Sequence, residues 1–428
     1  MPLPRDPRQR RVACVLTSVA AVLVALIASA GCANPASGDA DASPSPTPTV
    51  PQMRVAITPR DGARDVHPEK GIAVHVKLGT LVRVTVQTSG DRVTGSLDPR
   101  STGWSSDWTL NVGTRYVVQA VARDAQGNTI TQTSTFRTLT PKQSFSCRVW
   151  QAAGETYGVG MPVMLEFSRP ITDRRAVERS LVLTTSKRVV GAWYWNGDQN
   201  LFFRPRDYWP PNTQVALVAH LNGIEAAPGV YGTHTLRQAF NIGRSLIVVA
   251  DTQTHRVRVY LDKRKFATWP MSAGKPGKET PNGTYLTIEK ANPVRMRGEG
   301  YDITVPWSVR FTWSGSYLHA APWSVGSQGS ANVSHGCVNL HPEAAQTYYE
   351  LDVPGDPVTV TGSPKAGKWD DGWTMWFLSW SDLLKGSALH EAVIAGPDGS
   401  RFVKRSTLHS WKAKPPIRTA APGNAEAE

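Results

Sequence analysis

Thr114-Arg-Tyr-Val-Val-Gln-Ala-Val-Ala122 alternates with a period of two and carries no helical repeat, so it reads as a half-buried strand. Two upstream stretches, Gly71-Ile-Ala-Val-His-Val-Lys77 and Leu81-Val-Arg-Val-Thr-Val86, have the same short period. Turn signals at Pro59-Arg-Asp-Gly62 and Asp124-Ala-Gln-Gly-Asn128 separate such stretches. No long helical period appears between Arg54 and about Thr138, which predicts a small all-β sandwich. A second unit of this kind is expected from about Gln143 to Asn241, with strands at Val163-Met-Leu-Glu-Phe167 and Gln214-Val-Ala-Leu-Val-Ala219. The phrases Gly113-Thr-Arg-Tyr-Val and Asn212-Thr-Gln-Val hint at a divergent internal repeat.

A third unit opens near Gly243 with the strand pair Ser245-Leu-Ile-Val-Val-Ala250 and Arg256-Val-Arg-Val-Tyr260. Further strands are expected at Thr284-Tyr-Leu-Thr-Ile-Glu289, Val309-Arg-Phe-Thr-Trp313, Tyr317-Leu-His319 and Asp356-Pro-Val-Thr-Val-Thr361. Pro342 and Glu343 suit the first turn of a short helix running through Glu350. Beyond Gly362, the segment from Lys368 to Ala388 holds Trp369, Trp373, Trp376 and Trp380. That much aromatic area predicts docking onto the preceding domain, with a separate sugar- or peptide-binding patch as the other reading.

Length and charge narrow the class. A chain of 428 residues fits two to four domains. The 47 Lys plus Arg against 34 Asp plus Glu give a formal charge of +13, which favours acidic neighbours. Basic clusters such as Arg204-Pro205-Arg206 and Lys263-Arg264-Lys265 are scattered between strands, without the continuous basic stripe that nucleic-acid binding needs. Near the N-terminus, Arg5, Arg8, Arg10 and Arg11 precede the apolar run Val12 to Ala30, which reads as an export signal. Ser29, Ala30 and Gly31 before Cys32 resemble the bacterial lipoprotein box, implying lipidation of the Cys32 thiol. An uncleaved anchor or simple secretion are the other outcomes, and all three put the body outside the cytoplasm. Residues from Asn34 to Pro51 have almost nothing to bury and read as a tether.

Of the four cysteines, Cys14 and Cys32 belong to this leader, while Cys147 and Cys337 remain in the body, where sequence allows them to be paired or free. Cys337 lies in the stretch His319-Ala-Ala-Pro-Trp-Ser-Val-Gly-Ser-Gln-Gly-Ser-Ala-Asn-Val-Ser-His-Gly-Cys-Val-Asn-Leu340. A thiol becomes a good nucleophile as thiolate, and His319 and His335 are both placed to take its proton. Gly336 permits a tight turn that can aim consecutive N–H groups at one point. The bland alternatives are a small buried core cysteine beside a turn histidine, or a metal site drawing on Cys337, His319, His335 and His341.

Ser334-His-Gly-Cys-Val-Asn-Leu340, preceded by Tyr317-Leu-His319 and Ala321-Pro-Trp-Ser324, resembles the active-site signature of the L,D-transpeptidases of bacterial peptidoglycan synthesis. The wider layout is similar to the actinobacterial lipoproteins of that family with immunoglobulin-like modules. The resemblance implies that Cys337 is acylated, that His319 takes its proton, and that the backbone carbonyl of Ala320 holds the other ring nitrogen. It implies that His335 and Gly336 shape the nucleophile turn, with N–H groups at 335 to 337 as oxyanion donors. Ser334, Asn339, Tyr301, Tyr317, Trp323 and Trp307 are implied as bracing, cleft or flap residues, the flap spanning Ala291 to Thr312.

The fold expected is therefore mainly β, with two immunoglobulin-like β-sandwich modules, a β-rich catalytic domain with a short helix, and a Trp-rich C-terminal subdomain. Its parts are a leader at 1–32, a tether at 33–52, modules at 53–140 and 141–242, the catalytic domain at 243–362, the Trp-rich piece packed on it at 363–411, and a disordered tail at 412–428. The activity implied is 3→3 cross-linking of peptide stems through a cysteine thioester, with loss of D-alanine from a tetrapeptide donor. Donor and acceptor stems and, as covalent inhibitors, carbapenem β-lactams are the implied partners, with the membrane reached through Cys32. No cofactor and no metal are expected. Hydrolysis at the same bond (an L,D-carboxypeptidase) and a non-enzymatic wall-associated scaffold are the competing readings.

Overall fold

The computed structural model describes residues 52–298, 301–404 and 406. The expected leader with Cys14 and Cys32, nearly all of the tether, and the tail from 412 lie outside the described residues. Among the described residues no helix is long and apolar enough to cross a membrane.

The opening stretch forms the strand Arg115–Arg123, whose buried members Tyr116, Val118, Ala120 and Ala122 fall on alternate positions. It sits between Thr80–Thr88 and Thr129–Arg137, both antiparallel to it. Facing this sheet is a four-stranded one containing Arg54–Thr58 and Ala73–Lys77. Ile72, Val74 and Trp104 meet Tyr116 and Phe136 in one shared core, as two inner sheet faces do in a sandwich. This module joins the next through Trp108 stacked on His220, with ring centroids 3.9 Å apart, and through the Thr109 hydroxyl donating to the Asn222 carbonyl at 2.7 Å.

The second module has the larger core, with Trp193, Trp195, Trp209 and Phe203 among its buried side chains. Val163–Phe167 occupies the residues expected, and Thr213–Ala219 begins one residue earlier than expected. An arrangement that sequence did not show follows. Ala392–Gly396, from the C-terminal segment, enters this sheet between Leu181–Thr185 and Val189–Asn196, and Gly399–Val403 pairs beside it. Met375, Leu383 and Leu384 form a further core with Val190 and Ala192. Arg204, buried in the sheet, donates to the carbonyls of Met375 and Leu378 at 3.0 Å and lies over the Trp376 ring. The Trp-rich piece therefore completes the second module as well as reaching the third unit, where Phe377 packs on Tyr285.

The third unit is a nine-stranded mixed sheet running from Gly283–Leu286 at one edge to Glu289–Ala291 at the other. Leu246–Asp251 pairs in parallel with Pro357–Thr361, and Tyr317–Ala320 in parallel with Val338–Leu340. The helix Pro342–Leu351 starts at the expected proline and buries Ala344, Ala345 and Tyr348 against this core. The expected strand 284–289 breaks after Leu286, because buried Thr287 turns its N–H to the Asp356 carbonyl and its hydroxyl to the Val353 carbonyl. Within this unit Arg244 grips the buried Asp356 carboxylate with two bonds, and from the second module Gly158 and Gly160 donate to the Pro354 and Gly355 carbonyls, seaming the two together.

Candidate active site

The two parallel strands carry the site. Leu318 lies opposite Val338, His319 opposite Asn339 and Ala320 opposite Leu340. Leu318, Ala320, Val338 and Leu340 are core residues, so a slip by one position would expose them, and the register is held. The loop before Cys337 is pinned in turn. Asn332 accepts from the Ala273 N–H and donates to the Thr252 carbonyl, while Val333 donates to the Ser272 hydroxyl.

His319 is buried, at 3% exposure. Its Nδ1 lies 2.9 Å from the Ala320 carbonyl, which only accepts, so Nδ1 carries the proton and Nε2 keeps a lone pair. Burial holds its pKa down to about 4, against a smaller upward pull from that hydrogen bond. Cys337 is half-buried with a free thiol, as is Cys147, so the two are not paired. Desolvation pushes the Cys337 thiol up to about 11, partly offset by the backbone N–H of Tyr317. At neutral pH both groups therefore rest uncharged, and a proton passing from sulfur to imidazole creates two charges that stabilise each other.

The turn into Cys337 is built by its neighbours. Gly336 has φ +126°, and a Cβ placed there would meet nothing nearer than 3.7 Å, so the backbone and not space requires glycine. The buried Ser334 hydroxyl donates to the Cys337 carbonyl at 2.6 Å and accepts from the Gly336 N–H at 3.1 Å. Gly336's N–H is thus engaged inside the turn. Asn339, also buried, donates to the Ser324 hydroxyl at 3.0 Å, which ties the nucleophile strand to the short 3-10 helix Pro322–Ser327.

Aromatic side chains frame the opening. Trp323 is 53% exposed and its ring lies 6.0 Å from that of His319 at 30°. A two-stranded hairpin, Val294–Gly298 with Tyr301–Val305, reaches over to the exposed His335, whose ring is 5.0 Å from that of Tyr301. Gly298 pairs with Tyr301, and a Cβ there would sit 2.4 Å from the tyrosine ring, so a side chain at 298 would make that ring swing aside. Tyr317, half-buried, lies under the Arg310 guanidinium. Trp307 stands apart from this group: it lies at the root of the hairpin, its ring 5.3 Å from that of Tyr349 on the helix. His341 immediately precedes that helix. Among the described residues no three His, Cys, Asp or Glu side chains are placed to hold a metal ion together.

Two contributors escaped sequence reasoning. Ser324 received no role, and the Gly315 carbonyl, which accepts from the Cys337 Sγ at 3.7 Å, belongs to the turn Thr312-Trp-Ser-Gly-Ser316. A Ser-Gly-Ser run favours a turn, but nothing in it points to a partner 22 residues on.

A family model described as a bacterial Ig domain matches residues 63–225, and one described as the L,D-transpeptidase catalytic domain matches residues 245–360. The chain is 35% identical over 352 residues to L,D-transpeptidase 5 of Mycobacterium tuberculosis strain H37Rv, covering 79% of this chain and 78% of that protein. It is 32% identical over 346 residues to L,D-transpeptidase 2 of Mycobacterium tuberculosis strain CDC 1551, covering 76% and 84%. A solved structure of an L,D-transpeptidase in complex with imipenem is 37% identical, covers 52% of this chain and 100% of that one, and has a TM-score of 0.44. On this similarity, together with a catalytic-domain match that encloses Cys337 and His319, the chain belongs to the L,D-transpeptidase family.

Proposed function

We propose that this protein forms 3→3 cross-links between peptidoglycan stems, with Cys337 as the acylated nucleophile. The observation that carries the reading is the His319 tautomer: Nδ1–H held by the Ala320 carbonyl leaves Nε2 as a base on the strand paired beside Cys337. This carbonyl takes the orienting place that a carboxylate holds in a Ser-His-Asp arrangement.

In the first step Nε2 of His319 takes the thiol proton while Sγ bonds to the carbonyl carbon of the donor's third residue. The oxyanion that forms is met by N–H groups of the 335–337 turn; Gly336's is the one that must first leave Ser334. On collapse the bond to the terminal D-alanine breaks, and His319 returns its proton to the departing amine. An acceptor amine then attacks the thioester, loses its proton to His319, and thiolate is released and reprotonated. Trp323, Tyr301 and His335 wall the cleft and limit water, which favours the amine over hydrolysis. Acylation by a carbapenem follows the same first step, with the β-lactam C–N bond breaking in place of the peptide bond.

The modules at 53–140 and 141–242 then act as a spacer between a membrane anchor at lipidated Cys32 and the catalytic domain at 243–362. That arrangement puts the enzyme on the outer face of the cell membrane. Incubating the full chain with a disaccharide-tetrapeptide tests the reaction. Cross-linked dimer with one D-alanine released per bond is expected from the parent and not from His319→Ala or Cys337→Ala. Tripeptide as the sole product would replace transpeptidation with hydrolysis.

A further inference from the structure

We infer that Asp371, in the C-terminal segment, is a positioning residue for Cys337, clamping the 312–316 turn so that the Gly315 carbonyl stays on the thiol. This rests on the reading of Cys337 as the nucleophile. Within the turn, Thr312 accepts the Ser316 N–H on its hydroxyl at 2.8 Å and the Gly315 N–H on its carbonyl at 3.3 Å. From outside, one carboxylate grips it twice: Ser314 donates its N–H to Oδ1 of Asp371 at 2.6 Å and its hydroxyl to Oδ2 at 2.7 Å. The next two residues close on the same turn. Gly372, at φ +129°, passes so near that a Cβ would stand 2.9 Å from the Phe311 carbonyl, and Trp373 meets the Trp313 ring edge-on at 6.1 Å. Asp371 lies beyond residues 245–360, where the catalytic-domain match ends. The site is thus braced by chain outside that domain.

Charge-assisted bonds to a carboxylate are short and strong, so they fix Ser314 and with it the adjacent Gly315. A carbonyl facing sulfur accepts from the thiol but opposes the thiolate. Held in place, it directs the thiol hydrogen and raises the cost of the anion. Freed, it leaves sulfur easier to ionise but without a fixed direction. The titratable and charged groups that face the thiol and its turn are Tyr317, His319, His335 and Arg310, whose guanidinium lies over the Tyr317 ring and donates to the Thr312 and Trp313 carbonyls, while the Asp371 carboxylate bonds Ser314.

The test uses the full chain and reads two quantities: the pH midpoint of Cys337 carboxamidomethylation by iodoacetamide, followed by peptide mass mapping, and the rate of D-alanine release from a tetrapeptide stem. Asp371→Ala is expected to lower the alkylation midpoint by about one pH unit and to slow D-alanine release about tenfold. Asp371→Asn keeps an acceptor for the Ser314 N–H and can donate to its hydroxyl, so it should stay within about threefold of the parent in both. Ser314→Ala, with one bond of two, should fall between. A folded Asp371→Ala with the parent's alkylation midpoint overturns the inference, whatever its turnover, because a merely structural role would move only the rate. If Asp371→Ala does not fold, Ser314→Ala at the parent's midpoint overturns it instead. D-alanine release persisting in Cys337→Ala would overturn the proposed function, while the alkylation profile would still decide the clamp.

Discussion

Burial of a neutral imidazole gives His319 a measurable signature. Its folded pKa is near 4 against 6.5 for a free histidine, so between those values the unfolded chain takes up a proton that the folded chain does not. Stability should fall as pH drops from about 6.5 toward 4 and be indifferent to His319 above that window; denaturant unfolding of the parent and of His319→Gln across this range checks it, the variant losing that part of the slope. Gly336→Ala should cost about 1–3 kcal/mol through its φ, with thiol reactivity falling at the same time because the turn aims the sulfur. The parent's reactivity in a folded Gly336→Ala would mean the turn does not aim it. Sequence chemistry left His319 and His335 equally eligible as base. The structure separates them physically: one is buried with Nδ1 held by a carbonyl, the other exposed beneath a tyrosine ring.

The hairpin meets the nucleophile turn through Tyr301, whose ring lies on that of His335. Tyr301→Ala removes the ring on His335, worth about 0.5–1.5 kcal/mol, so KM for the donor stem should rise about threefold to tenfold with the fold intact. Unchanged KM and kcat would detach the hairpin from substrate binding. Ser334→Ala should act differently. It strands the Cys337 carbonyl and the Gly336 N–H, costing about 1–3 kcal/mol and lowering kcat more than it raises KM. Strands with alternating burial, such as Arg115–Arg123, were legible because one face is buried and one is not. Ala392–Gly396 was not, since a five-residue apolar run beyond a Trp-rich segment carries no sign of the sheet it will enter.

Across the whole molecule the order of the chain and the order of the sheets differ, which no local pattern reveals. The second module needs a strand made more than 170 residues after Leu217, between Leu181–Thr185 and Val189–Asn196. Ending the chain after Gly386 should therefore leave Leu181–Thr185 and Val189–Asn196 with one sheet partner each and an open edge between them, and the truncated protein should aggregate or lose its cooperative melting transition. A truncated protein that melts like the parent would show that the C-terminal strands only decorate the sheet. Anchoring belongs to this scale as well. If Cys32 is lipidated, Cys32→Ala should move the protein from the membrane fraction to the soluble fraction of fractionated cells, and retention in the membrane would point to an uncleaved apolar segment.

The most direct test of the account is intact-mass analysis of the full chain quenched early in its reaction with a tetrapeptide stem. A covalent adduct equal to the stem less D-alanine, mapped to Cys337 and missing from Cys337→Ala, is the predicted result. An adduct on another residue, or cross-linked product from a folded Cys337→Ala enzyme, would contradict it.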